Sequence, residues 1–218
     1  HGARSDAPQT TRHNKKSIHQ DQDNILMSIL VPRPGLMDIT PYVGGESAIP
    51  GVDRIIKLAS NEGALGPSPK GEAAYREASR QLHRYPDGGS TAVRVGLEKL
   101  YGLNADQIVC GAGSDELIGL LCRAYAGPGD EVLYSEHGFL MYAIATKTVG
   151  ATPVTAPETN LTADVDALLS KVTDKTRILF IANPNNPTGT YISASEMQRL
   201  RQGLRDDILL VIDAAYAE

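Results

Sequence analysis

Three short segments carry side chains whose types and spacing suit chemistry. Gly111–Glu116 (GAGSDE) sets two glycines and a serine at the point where a helical pattern begins. A helix start leaves backbone N–H groups unpaired and adds the positive end of the dipole, so it holds anions such as phosphate. Ser114 can add a hydroxyl there or simply cap the helix. As a dinucleotide fingerprint the segment reads G-x-G-x-x-E, without the third glycine, and a plain turn before a capped helix also fits it. In Ala182–Gly189 (ANPNNPTG) two prolines within four residues bar helix and strand. Asn186, preceding Pro187, is held extended and offers its amide at little entropic cost. An ordinary turn is the structural alternative, since Asn-Pro and Thr-Gly are common there. The third segment, Asp213–Tyr216 (DAAY), closes the apolar run Ile208–Ile212. A carboxylate at the tip of a buried strand is costly unless a cation or donors meet it, or unless it caps a turn. Tyr216, three residues on, can reach the same ligand.

Positioning those segments falls to a regular alternation of elements. Helical periodicity predicts helices over 71–81, 91–101, 115–125, 140–149, 164–172 and 195–203, with Val93, Leu97 and Leu100 sharing a face of the second. Short apolar or β-branched runs predict strands at 107–110 (QIVC), 131–134, 152–155, 177–181 and 208–212. Strands alternating with helices of this length mean βαβ units, hence an α/β fold: a three-layer αβα sandwich with a mainly parallel sheet covered on both faces. Ligands in such sheets collect at the carboxyl ends of strands, where all three segments are expected to fall.

The 218 residues contain 21 Lys and Arg against 26 Asp and Glu, a net charge of −5 that offers no general footprint for a nucleic-acid backbone. No run approaches the ~18 apolar residues of a membrane span. Residues 1–24 are polar, without a secretory h-region, and read as a flexible leader of a cytoplasmic protein. Residues 25–69, punctuated by Pro and Gly, read as an N-terminal arm with a short helix, and 70–218 as one large domain. Cys110 and Cys122 fit neither a disulfide framework nor a zinc spacing and are expected to pack as small apolar residues. The last strand is hydrophobic throughout yet has nothing after it to cover it, so the domain reads as incomplete.

NPNNPTG followed by an apolar strand and D-x-A-Y resembles the fold-type-I pyridoxal-phosphate aminotransferases. The flanking KLASNEGALGPSP (57–69), HRYPDG (83–88), CGAGSDELIGLL (110–121) and EHGFLMY (136–142) resemble the histidinol-phosphate aminotransferase branch, over about residues 32–218. The resemblance implies the large domain of a PLP-dependent transferase, its N-terminal arm contributing to a small domain and a dimer contact. The implied cofactor is pyridoxal 5'-phosphate, and the implied reaction moves an amino group between L-histidinol phosphate and 2-oxoglutarate, in histidine biosynthesis. It further implies that Asp213 faces the cofactor ring nitrogen and keeps it protonated, while Asn186 and Tyr216 donate to the C3 oxygen. Gly113, Ser114 and Asp115 hold the phosphate, the carboxylates of Asp115 and Glu116 turning away from it, and Phe139 stacks on the ring. Tyr85 reaches the phosphate of the partner subunit in a homodimer, and Asn61 and Tyr42 face substrate.

The chain departs from the pattern at Asn61-Glu62-Gly63-Ala64, where relatives carry a proline after N-E-N or N-E-T. None of the lysines at 15, 16, 57, 70, 99, 147, 171 and 175 has the S-x-x-K-like setting of the imine-forming lysine, so residues 1–218 alone are expected to bind cofactor weakly and not to turn over. An aromatic aminotransferase or a threonine-phosphate decarboxylase would share these motifs. A nucleotide-binding α/β module using GAGSDE, or a non-catalytic binding protein, are the remaining alternatives.

Overall fold

The sheet is built where β-branched and large apolar residues run together. In a computed structural model describing residues 32–41, 50, 51, 53, 56–63 and 65–217, four parallel strands form the central layer. They are β1 (Glu131–Ser135), β2 (Thr152–Ala156), β5 (Thr176–Ala182) and β6 (Leu209–Asp213), in the order β2-β1-β5-β6. The chain leaves β1 to β2 on one side and returns to β5 on the other. The direction of winding therefore reverses between β1 and β5, where a parallel sheet opens a crevice at its carboxyl end.

Strand alternation sorts the core into two. Ile178 and Phe180 of β5, with Val132 and Tyr134 of β1, point to one face, where they meet Ile118 and Cys122 of α3 (Gly113–Tyr125) and Tyr142 and Ala145 of α4 (Leu140–Thr148). Leu179, Ile181 and Leu133 point to the other, against Val165 and Leu168 of α5 (Val165–Ser170) and Leu200 of α6 (Ala194–Gly203). The αβα sandwich follows directly: each face of a sheet buried on both sides needs its own helical layer. Helix ends agree with local chemistry. Asp164 caps α5 through the Ala167 N–H, Ser193 caps α6 through that of Glu196, and Gly150, at φ 79°, closes α4 with its N–H on the Lys147 carbonyl.

One expectation is corrected, and two features go beyond what the pattern offered. QIVC is not a strand; Ala105–Gln107 forms a single 3₁₀ turn and the chain runs on as coil to Gly113. GAGSDE thus enters its helix from a loop, with no sheet partner to hold QIVC extended. Thr162 and Ala163, in a stretch to which the sequence pattern assigns no element, pair with Glu158 and Thr159 in a small antiparallel hairpin, β3 (Glu158–Thr159) and β4 (Thr162–Ala163), too short for periodicity to reveal. Finally, α1 (Pro69–Ala78) and α2 (Thr91–Tyr101) form as the pattern predicts but bury nothing: Val93 is 55% and Leu100 71% exposed. Cys122 packs in the core as expected, while Cys110 is only half-buried. The leader 1–24 lies outside the described residues, and of the arm only 32–41, a few residues around 50–53 and 56–63, and 65–69 fall within them.

Candidate cofactor site

The loops after β1, β5 and β6, at the carboxyl end of the sheet, deliver their groups to the same crevice. β6 ends on Asp213, whose carboxylate stays half-buried. Its Oδ1 accepts the Ala215 N–H at 3.2 Å, and its Oδ2 accepts the Tyr142 hydroxyl at 2.9 Å. The cost of this half-buried carboxylate is thereby met by two donors, with no cation on it among the described residues. Tyr142 is fully buried, its ring stacked on Phe180 at 4.7 Å and 6°, with Tyr134 and Phe139 edge-on at 5.9 Å. Burial, and then the charge of Asp213, push its phenol well above the ordinary tyrosine range, so it remains a donor. Tyr142 escaped the sequence reading, because a tyrosine two residues into an apolar helix looks like core. The signal available was its hydroxyl, which a buried tyrosine must satisfy.

β5 ends in the ANPNNPTG loop, which is rigid through its own hydrogen bonds as well as its prolines. The Asn183 side chain donates to the Ile192 carbonyl and accepts the Ile192 N–H; the Asn185 N–H meets Thr190, and the Asn185 carbonyl accepts from Gly189. Asn186 projects from this frame. The Tyr216 hydroxyl accepts the Asn61 amide at 2.9 Å, which leaves its own proton available for a ligand. Asn61 reaches that far because Ser60 and Asn61 both adopt left-handed backbone, φ 66° and 51°, a conformation Asn tolerates better than most residues.

Ser114, Phe139, Ala182, Pro184, Asn186, Asp213, Ala215 and Tyr216 line one small cavity. A second cavity, of about 620 Å³, shares Phe139, Asn186 and Tyr216 with it and adds Ser60, Asn61, His137 and Pro187. Gly113 and Asp115 line neither, but sit in the same first turn of α3 as Ser114, Gly113 at φ 78°. The Glu116 carboxylate folds back onto the Ala112 N–H at 2.6 Å, which keeps that acid engaged at the helix start. Tyr85 is fully exposed and lines neither cavity, and Tyr42 lies outside the described residues. A larger groove, about 870 Å³, runs beside β6 among Met197, Ile208, Leu210 and Ile212 and contains none of these groups.

The donor set matches a flat, phosphorylated, cationic heterocycle: a carboxylate for a ring N–H, a helix start for phosphate, an aromatic face, and an amide and a phenol for a ring oxygen. An open parallel sheet with this candidate site at its switch point defines the class of protein: an α/β enzyme domain with a crevice on its strand ends. The chain belongs to the class I and II aminotransferases, whose family model matches residues 53–218. It is 70% identical over 192 residues to the histidinol-phosphate aminotransferase of Paramagnetospirillum magneticum, covering 88% of this chain and 53% of that protein. It is 64% identical over 187 residues to the one from Rhodospirillum rubrum, covering 86% and 51%. Among solved structures, that of histidinol-phosphate aminotransferase from Sinorhizobium meliloti in complex with pyridoxal-5'-phosphate aligns with a TM-score of 0.70 at 29% identity, over 72% of this chain and 43% of that one. The chain spans about half the length of the curated relatives it matches.

Proposed function

We propose that this chain supplies the cofactor-binding part of a histidinol-phosphate aminotransferase, which moves an amino group between L-histidinol phosphate and 2-oxoglutarate in the cytoplasm. The observation that carries this reading is the convergence of Ser114, Phe139, Asn186, Asp213 and Tyr216, from four separate loops, on one cavity. Pyridoxal 5'-phosphate, when bound there, supplies the electron sink that amino-group transfer requires. Asp213 would hold a proton on the ring nitrogen, its carboxylate kept in place by Tyr142 and the Ala215 N–H. Tyr216, with Asn61 behind it, and Asn186 would donate to the ring oxygen. Ser114 and the first turn of α3, with Gly113 and Asp115, would bind the phosphate through N–H and hydroxyl groups. Phe139 would cover one ring face and exclude water from it. Tyr85, exposed in this chain, would complete the phosphate site of a second copy in a homodimer. Asn61 and Tyr42 would face substrate. The amine-bearing lysine is assigned to none of the eight lysines of this chain.

The full-length protein mixed with pyridoxal 5'-phosphate is expected to show an absorption band near the visible edge that bleaches with histidinol phosphate and returns with 2-oxoglutarate. A band that answers only to aromatic amino acids would assign the chain to a sister enzyme. No band at all would overturn the reading.

A further inference from the structure

The cavity of about 620 Å³ beside the cofactor site is lined by an ionisable side chain that the cofactor does not use, His137. It is held from three directions. Its N–H donates to Glu158 Oε1 at 3.0 Å, its Nδ1 lies 3.0 Å from Glu158 Oε2, and its carbonyl accepts the Asn185 amide at 3.1 Å. Glu158 comes from β3, and its side chain is only 2% exposed, whereas that of His137 is 47% exposed. One buried carboxylate thus spends both oxygens on a single half-exposed histidine, and a loop amide fixes the backbone beneath. A carboxylate only accepts, so Nδ1 carries a proton, and in the neutral imidazole Nε2 then keeps its lone pair. No described residue bonds to Nε2, and His137 lines the cavity with Asn61, Asn186 and Tyr216.

We infer that His137 is a specificity-determining residue: its Nε2, set as an acceptor by Glu158, takes a hydrogen bond from a donor on the side chain of the amino substrate. Glu158 is a positioning residue for it. This rests on the reading above, under which the donor is the azole N–H of histidinol phosphate. A site that accepts from a substrate N–H discriminates against an analogue lacking it, because the acceptor is then left without its bond.

The test compares histidinol phosphate with phenylalaninol phosphate, of similar shape without the ring N–H, in the full-length protein with cofactor. His137→Ala is expected to lower the ratio of their kcat/KM values about tenfold, through KM more than kcat. Glu158→Gln is the sharper variant. The Gln amide can accept the His137 N–H and donate to Nδ1, so the clasp survives while the imidazole tautomer inverts and Nε2 becomes a donor. The ratio is expected to fall again, by less than in His137→Ala because the substrate azole can turn its own lone pair to the new donor, with unchanged thermal stability, an outcome that a merely structural clasp would not produce. Nitrogen-15 shifts of labelled His137 should report Nδ1–H in the wild type and Nε2–H in Glu158→Gln. An unchanged ratio in both variants, or a wild-type Nε2–H tautomer, overturns the inference. A wild-type protein that transaminates neither compound overturns the aminotransferase reading, and the nitrogen shifts still decide whether the dyad presents an acceptor.

Discussion

Replacing Tyr142 by Phe removes one oxygen and little else. The ring keeps its stack on Phe180 and its edge contacts to Tyr134 and Phe139, so packing is conserved. What is lost is the 2.9 Å hydrogen bond to Asp213 Oδ2. A hydrogen bond to a charged acceptor contributes about 1.5–3 kcal/mol, and the half-exposed carboxylate places this one at the lower end, about 1.5 kcal/mol. Asp213→Ala is the complementary change: it leaves the Tyr142 hydroxyl, in a residue 0% exposed, without an acceptor, at about 1–3 kcal/mol. In that background Tyr142→Phe removes the orphaned hydroxyl, and about 1 kcal/mol of stability should return. The same substitution therefore destabilises the wild type and stabilises Asp213→Ala. Urea unfolding of the four proteins of this cycle, without cofactor, measures both signs at constant m-value. If Tyr142→Phe shifts stability in the same direction in both backgrounds, the hydroxyl is not the group that supports Asp213.

Other perturbations reach the same frame from different sides. A Cβ at Gly138 would stand 3.0 Å from the Ser135 carbonyl and 3.1 Å from the Tyr134 ring, and a backbone oxygen cannot yield. Gly138→Ala should therefore displace the loop bearing His137 and Phe139 and weaken pyridoxal phosphate binding roughly tenfold or more, as fluorescence titration would read. Burial pushes the Cys122 thiol up to about 11, leaving roughly one molecule in a thousand as thiolate at pH 8. A disulfide reagent at that pH should label Cys110 quickly in the native protein and Cys122 only on unfolding. The Asp164 carboxyl is held below its ordinary value by the Ala167 N–H and the Thr159 hydroxyl. Its contribution is thus present above the unfolded value of 3.8 and lost as pH falls through the lower folded one. Asp164→Ala should cost about 1 kcal/mol at pH 7, and this difference should shrink in acid unfolding curves taken below pH 4.

Much of the scaffold was legible in the order of residues. The run Ile178–Ile181 is hydrophobic on both alternating sets and is buried on both faces; Ile208–Ile212 has the same pattern but forms an edge strand, with Ile212 48% exposed, and the helical periods between strands required parallel crossovers. The same logic puts Asp213 and Asn186 at strand ends. It failed at QIVC, where β-branched residues found no neighbouring strand, and at the β3–β4 hairpin, whose two-residue strands have no period to detect. The exposed faces of α1 and α2 show the converse: a helix can follow its local pattern while finding nothing in this chain to cover it.

The sequence alone determined the classes of group available, because residue type sets what can donate, accept or stack, and spacing sets which of them end a strand. It could not say who supports whom. Tyr142 and Asp213 lie 71 residues apart, Asn61 and Tyr216 155, and His137 and Glu158 21. Those pairings exist because parallel strands set their carboxyl ends side by side and so bring loops distant in the chain to one end of the sheet. A hydrogen bond works over about 3 Å of space whatever the separation along the chain.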